Sequence, residues 1–106
     1  MKTGRKADLL TKRRFDPPVR RETVRLDWAL RGYSCQDFVD PPGREWNDFR
    51  HRTNELVTVL EGRLRLIVGK KELVAEAGDE VFIPKGALHS VHNINSGTTK
   101  WLFGYD

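Results

Sequence analysis

Two histidines and one glutamate are the residues of this 106-residue chain whose types and spacing could do chemistry. His51 and Glu55 lie four residues apart, and His89 follows 34 residues after Glu55. Imidazole nitrogens and a carboxylate oxygen form a ligand set that suits a divalent iron, zinc, nickel or manganese ion. One ion could use all three side chains, which we call the candidate triad, only if the fold brings them together.

The elements that would have to position the candidate triad are short strands. After Gly32 the apolar residues follow a period of two, and turn residues interrupt the chain every several positions. This pattern is typical of an all-β sandwich or barrel, in which alternate residues of facing strands point into one cavity. The absence of alternating helices excludes a parallel α/β sheet. The predicted strands are 33–39, 45–51, 55–61, 64–68, 72–76, 80–83, 88–94 and 99–105.

The first quarter of the chain differs from the rest in charge and in pattern. Residues 1–25 hold nine basic and three acidic residues, whereas the remainder holds ten and twelve, so the net charge of +4 comes from this segment. Apolar residues at helical spacing before Gly32 predict a short helix over about 20–31. Residues 1–16 show no sustained period, and we interpret them as mobile or loosely docked, within a basic arm that spans 1–19. The barrel domain would then occupy 20–106.

Composition excludes several classes of protein. Cys35 is the single cysteine, so an internal disulfide and a cysteine-based zinc cluster are excluded. No apolar run approaches the ~20 residues that a membrane helix needs, and the first residues have no apolar segment typical of a secretory signal. We therefore expect one domain in a reducing compartment, which by default is the cytoplasm.

Two stretches around the candidate triad resemble the two sequence motifs of the cupin family. The first runs Phe49-x-His51-x-x-x-Glu55 and ends at Gly62. The second matches the family at every signature position, which here are Gly78, Pro84, Gly86, His89 and Asn93. A spacing of 16 residues between the two motifs is similar to that of compact bacterial cupins. The resemblance covers roughly 33–105.

The cupin resemblance implies a double-sheet β-barrel of the jelly-roll type with a metal at its centre, often in a homodimer. Carried over residue by residue, it implies the candidate triad as the metal ligands. The family usually has a further histidine at the position of Phe49, and that ligand is missing here. Two histidines and one carboxylate are still enough for a facial triad of iron or for a three-ligand zinc site with a water.

Strand parity predicts which residues line the cavity beside the candidate triad. If Glu55 points inward, Val57 and Val59 do so as well, and Val91 follows His89 on its strand. Phe49 would add an aromatic wall, and Asn47, at the same parity, would add a weak oxygen ligand or a supporting hydrogen bond. The interior is then mostly apolar with a few polar groups, which is typical of a small-molecule site. The residues expected on outer faces, against the helix or a second subunit, are Leu56, Leu60, Leu64, Leu66 and Val68.

The sequence therefore predicts a small metal-binding cupin that binds or acts on a small organic molecule. If it is an enzyme, an oxygenase or isomerase type of reaction fits the family. The alternative is a non-catalytic ligand-binding or sensing module with weak or no metal. We expect a homodimer, since exposed leucine faces and edge strands favour pairing. A nucleic-acid partner is disfavoured, because the basic arm contains no helix-turn-helix or single-strand-binding pattern.

Overall fold

The computed structural model describes residues 9–106 as two antiparallel β-sheets and one helix. In chain order the elements are β1 (Leu10–Thr11), α1 (Arg21–Leu30), β2 (Gln36–Asp40), β3 (Glu45–Phe49), β4 (Glu55–Glu61), β5 (Arg63–Val68), β6 (Lys71–Glu76), β7 (Glu80–Ile83), β8 (His89–Asn93) and β9 (Thr99–Tyr105). The five-stranded sheet has the order β1-β7-β4-β9-β2, and the four-stranded sheet has the order β3-β8-β5-β6. The predicted all-β jelly-roll fold is confirmed. Within residues 9–106 no helix combines the length and the apolar character needed to cross a membrane.

Three of the predicted strands, β4, β7 and β9, have the predicted bounds, and α1 is one residue shorter at each end than predicted. Gly32 ends the helix as expected, since its φ of +87° suits the residue after a helix C-terminus. The helix buries Val24 and Trp28 against the outer face of the five-stranded sheet. This packing, rather than a capping side chain, stabilises the helix, because Arg20 at its N-terminus makes no side-chain cap.

The interpretation of residues 1–16 as mobile or loosely docked is wrong for the part that the structure describes, and residues 1–8 lie outside the described residues. Leu10 and Thr11 pair with β7 as an edge strand. The carboxylate of Asp79, which is 1% exposed, accepts hydrogen bonds from the Arg13 amide at 2.8 Å and from Lys12 Nζ at 3.1 Å. The side chain of Phe15 is buried in the same region. The segment therefore docks through one buried acid and one aromatic anchor.

Two apolar clusters lie on opposite faces of the five-stranded sheet. The barrel core lies between the sheets and includes Val57, Val59 and Val91. The helix cluster lies outside and joins Trp28 to Leu56 and, at its edge, Leu60, as parity predicts.

The expectation that Leu64, Leu66 and Val68 occupy an outer face is wrong, because all three are buried in the barrel core. On β5 the alternating residues Arg63 and Arg65 take the other face, where they form ion pairs with acidic side chains. Since two charged side chains on one face favour the solvent side, the apolar face of this strand must turn inward.

A bulge in β3 changes the parity of that strand. The pairing of β3 with β8 shifts register between Trp46 and Phe49, and Asp48 in between has a φ of +62°. The amide of Asp48 donates to Ser90 Oγ at 3.0 Å, which holds the bulge in place. Trp46 and Phe49 consequently both line the barrel interior although they are three residues apart.

Candidate metal centre and aromatic pocket

The candidate triad converges at one end of the barrel. One ligand atom from each of the three residues lies within 4.8 Å of the other two. Glu55 Oε1 is 3.4 Å from His51 Nε2 and 3.4 Å from His89 Nε2. Glu55 begins β4 of the five-stranded sheet, whereas His89 begins β8 of the four-stranded sheet. The group therefore bridges the two sheets, and this convergence of His51, Glu55 and His89 could hold a metal ion.

Backbone contacts between the two motifs fix the distance between the ligands. The Gly86 amide donates to the carbonyl oxygen of His51 at 2.8 Å, and the Lys85 amide donates to Asn54 Oδ1 at 2.9 Å. Gly86 has a φ of +81°, a conformation that favours glycine. The turn before β8 is thereby tied to the loop before β4, which explains why the Pro-x-Gly spacing accompanies the ligands.

The donor atoms of the candidate triad fit a divalent metal. Glu55 Oε1 is buried and has no hydrogen-bond partner, and its contacts with the two histidines are 3.4 Å long. A buried carboxylate oxygen without a partner is costly unless something else satisfies it. His89 Nδ1 lies 3.0 Å from the carbonyl oxygen of Ala87, which assigns the proton to Nδ1 and leaves the Nε2 lone pair facing Glu55. Metal-bound histidines typically have this carbonyl partner.

The electrostatic surroundings shift the pKa of two aromatic groups at the site. Burial lowers the pKa of His89, but the facing carboxylate of Glu55 and the carbonyl of Ala87 more than offset it, so the pKa is raised. Burial, with a smaller contribution from Glu55, raises the pKa of the Tyr105 phenol above its usual value of 10.0. The hydroxyl of Tyr105 therefore remains protonated at neutral pH and can donate a hydrogen bond into the pocket.

The candidate triad lies in a pocket of about 190 Å³. Apart from the triad and the hydroxyl of Tyr105, the lining side chains that the structure describes are aromatic or aliphatic: Phe38, Trp46, Phe49, Val91, Trp101 and Phe103. Phe49 is 39% exposed, and its ring stacks on His51 with centroids 6.2 Å apart. Phe49 and Val91 line the cavity as parity predicted. The pocket combines a polar group of potential ligands with aromatic walls.

Asn47 does not reach the candidate triad. Its Oδ1 accepts a hydrogen bond from His92 Nε2 at 2.6 Å on the other face of the four-stranded sheet. The bulge at Asp48 is the cause, because it reverses the parity between Asn47 and His51. Val57 and Val59 point into the barrel as predicted but belong to its core and do not line the pocket.

The sequence reasoning missed most of the aromatic lining. Trp101, Phe103 and Tyr105 alternate along β9 and all line the pocket, so the period of two was a usable signal. For Trp46 the sequence offered no such signal, since the bulge puts it at the opposite parity from the ligands. The buried carboxylate of Asp40, to which both indoles donate, was also missed.

An antiparallel double-sheet barrel with a His-Glu-His group in its interior defines a class of β-barrel proteins with potential metal ligands inside the barrel. A family model described as a cupin domain matches residues 37–105, and this chain belongs to the cupin family. No curated protein matches the sequence.

Solved structures with a similar fold have low sequence identity to this chain. AerE from Microcystis aeruginosa is 16% identical with a TM-score of 0.65, over 69% of this chain and 35% of AerE. TT1209 from Thermus thermophilus is 23% identical with a TM-score of 0.63, over 69% of this chain and 71% of TT1209. An oxalate oxidase in complex with the substrate analogue glycolate is 22% identical with a TM-score of 0.64, over 70% of this chain and 41% of the oxidase. The chain thus spans less than two thirds of two of these proteins, and the likeness is one of fold.

Proposed function

We propose that this protein holds a divalent metal ion with His51, Glu55 and His89 and uses it to bind, and to act on, a small organic molecule inside the barrel. The observation that carries the proposal is the buried oxygen Glu55 Oε1, which lacks a hydrogen-bond partner and faces Nε2 of both histidines. Iron, zinc, nickel and manganese all accept this ligand set. A bound ion would supply Lewis-acid polarisation of a ligand oxygen.

The other pocket residues would orient the ligand and exclude water. The aromatic side chains leave about 190 Å³, which is less than the roughly 300–1,000 Å³ of pockets for drug-sized molecules. The protonated hydroxyl of Tyr105 would donate to a ligand oxygen near the metal. The oxalate oxidase of similar fold, which was solved with glycolate, supports a small oxygen-bearing ligand.

A non-catalytic ligand-binding module is the second candidate. Outside the candidate triad, Tyr105 is the one polar side chain among the described residues that line the pocket. A reaction that needs a separate general base would have few groups to use, and this scarcity favours binding without turnover. Turnover of any compound in a panel of small acids, phenols and keto compounds would favour the enzyme.

We further propose a cytoplasmic homodimer. The lone cysteine, Cys35, supports a reducing compartment. Leu26 and Leu30 of α1 are 53% and 89% exposed, and Val39 at the sheet edge is 58% exposed, which supports pairing with a second copy. Light scattering on the purified protein measures the oligomeric state directly, and a mass of one chain would contradict the dimer.

The metal proposal is tested by elemental analysis of protein purified without a histidine tag. We expect about one metal ion per chain in the wild type and less than about a tenth of that in a His51→Ala/His89→Ala double variant, because only one of the three ligands remains. His92→Ala is the matched control, since His92 is also buried but bonds to Asn47 and Arg65 instead. A wild type that takes up no iron, zinc, nickel or manganese on reconstitution would contradict the proposal.

A further inference from the structure

One buried carboxylate joins two tryptophans of the pocket wall. Asp40 has no exposed surface. Trp46 Nε1 donates to both of its oxygens at 3.1 Å, and Trp101 Nε1 donates to Oδ2 at 3.0 Å. Trp46 belongs to the four-stranded sheet and Trp101 to the five-stranded sheet. A single side chain therefore fixes one indole from each sheet.

An ion pair does not explain why the fold buries a carboxylate at Asp40. Within residues 9–106 the carboxylate forms no ion pair, and its side-chain donors are the two indoles. Burying a carboxylate is expensive, and an apolar residue of similar size commonly gives equal or greater stability. Hydrogen bonds to a charged acceptor are, however, stronger and more directional than those to a neutral one. We therefore interpret Asp40 as a residue that orients the indole rings of Trp46 and Trp101 at a cost in folding stability.

The two fixed indoles continue into an aromatic wall that reaches the candidate triad. Phe38 packs edge-on against Trp46 and Trp101, with centroids 5.2 and 5.8 Å away. From Trp101 the contacts pass to Phe103 at 5.5 Å and on to Tyr105 at 5.9 Å, whose ring lies 5.0 Å from that of His51. Rotation of either indole would change the shape of the whole cavity.

We propose that Asp40 is a positioning residue, which fixes Trp46 and Trp101 as an aromatic wall that selects a planar, single-ring ligand. The inference rests on the proposed function for the polar end of that ligand, whose oxygen donor would face the candidate triad. The cavity of about 190 Å³ is large enough, since a cavity of about 150 Å³ in another protein admits benzene. Aromatic edges and faces in defined orientation favour a planar ring over a saturated ring of equal size.

The first test observes the indoles by ¹⁵N-resolved NMR, with signals assigned from single Trp→Phe variants. In Asp40→Asn we expect the Nε1–H signals of Trp46 and Trp101 to shift and their hydrogen exchange to accelerate. Trp28 is an internal reference, because its Nε1 donates to a different buried carboxylate, Glu80, at 3.0 Å. The matched control Glu80→Gln should move the Trp28 signal alone. Unchanged signals of Trp46 and Trp101 in Asp40→Asn overturn the proposal.

The second test measures the affinity for benzoate and for cyclohexanecarboxylate, two acids of similar size of which the first is planar. We expect the wild type to prefer benzoate by about fivefold, Glu80→Gln to keep this preference and Asp40→Asn to lose it. If Asp40→Asn does not fold, Trp101→Phe replaces it, since it keeps a ring but deletes the donor. Binding of neither acid, or an unchanged preference in the folded variant, overturns the proposal.

The metal content of the same samples separates this inference from the proposed function. A protein that holds no metal after reconstitution but still prefers benzoate contradicts the proposed function and supports the role of Asp40. A metal-loaded protein that binds both acids equally well supports the metal site and contradicts the role of Asp40. These two outcomes show which of the two hypotheses has failed.

Discussion

The two faces of the five-stranded sheet each carry a buried carboxylate that accepts a hydrogen bond from tryptophan. The two carboxylates differ in the other groups that they face. On the outer face, Arg31 forms two hydrogen bonds of 2.9 and 2.8 Å with Glu80, which also accepts from Trp28. On the inner face, Asp40 accepts only from indoles among side-chain donors, and Glu55 Oε1 has no hydrogen-bond partner. The outer carboxylate is paired with an arginine, whereas the inner two face indoles and imidazoles.

We interpret this difference as a division of roles, in which the outer carboxylate stabilises the fold and the inner carboxylates serve the pocket. The carboxylate of Glu80 strongly raises the pKa of Arg31, so the guanidinium beside it remains charged. Trp28 beside it is completely buried within the helix cluster. On the inner face Glu55 Oε1, which lacks a hydrogen-bond partner, lies at the pocket, where a metal or a ligand can satisfy it. Ligand binding is therefore expected on the face whose charges are left uncompensated.

The largest expected effect comes from removing the anchor of the outer face. Trp28→Ala deletes a fully buried side chain and leaves Glu80 without its indole donor, so we expect a loss of about 3–5 kcal/mol in the free energy of unfolding. Urea denaturation measures this loss, and metal content per folded molecule should not change. A variant that keeps wild-type stability would show that Trp28 does not anchor the outer face. A variant that loses the metal while folded would show that the outer face also controls the metal site.

A pair of matched substitutions in the metal-free protein compares the two faces directly. Glu80→Gln removes the charge that faces Arg31, and we expect a loss of about 2 kcal/mol, less than for a fully buried pair because the Arg31 side chain is 34% exposed. Glu55→Gln removes a buried charge without a hydrogen-bond partner at Oε1, and we expect no loss of stability. Chemical denaturation of both variants after chelation gives the comparison.

Adding metal back should reverse the order of these two variants. The wild type and Glu80→Gln should gain stability with metal concentration, because an ion that binds only the folded state stabilises it. Glu55→Gln should gain little, since it has lost one of three ligands. Equal stabilisation of Glu55→Gln and the wild type would place the metal elsewhere.

The sequence predicted the fold and the candidate triad because both depend on short-range patterns. The period of two along β4, β7 and β9 gave their bounds, and the glycine and proline spacings around His51 and His89 pointed to their convergence. The position of Asn47 was mispredicted because a bulge of one residue reverses parity, and the sequence at Asp48 shows no signal of it.

The buried charge networks could not be predicted from the sequence, because their members lie far apart along the chain. Asp40 and Trp101 are 61 residues apart, and Glu80 and Arg31 are 49 residues apart. The docking of the N-terminal segment was missed for the same reason, since Asp79 contacts Lys12 across 67 residues. Such pairs follow from the topology, which places β1 against β7 and α1 against the outer face of the five-stranded sheet.

The smallest expected effect concerns the pH dependence of the outer face. Burial tends to raise the pKa of Asp27, but hydrogen bonds from Arg31 and Arg14 outweigh it and lower the pKa below the usual 3.8. A lowered pKa in the folded state means that the contribution of Asp27 to stability is complete above the pKa of the unfolded chain and is lost as the pH falls through the folded pKa. At neutral pH we expect Asp27→Asn to cost less than about 1 kcal/mol, since these side chains are between a quarter and two fifths exposed.

Denaturation of the wild type and Asp27→Asn at a series of pH values tests whether the contribution of Asp27 to stability is lost as the pH falls. The difference between their free energies of unfolding should be constant above about pH 5 and should shrink as the pH falls through the lowered pKa of Asp27 in the folded state. Because every other carboxylate is common to both proteins, their titration cancels in the difference. A difference that stays constant across the acid range would mean that the ion pairs of Asp27 with Arg14 and Arg31 contribute nothing to stability.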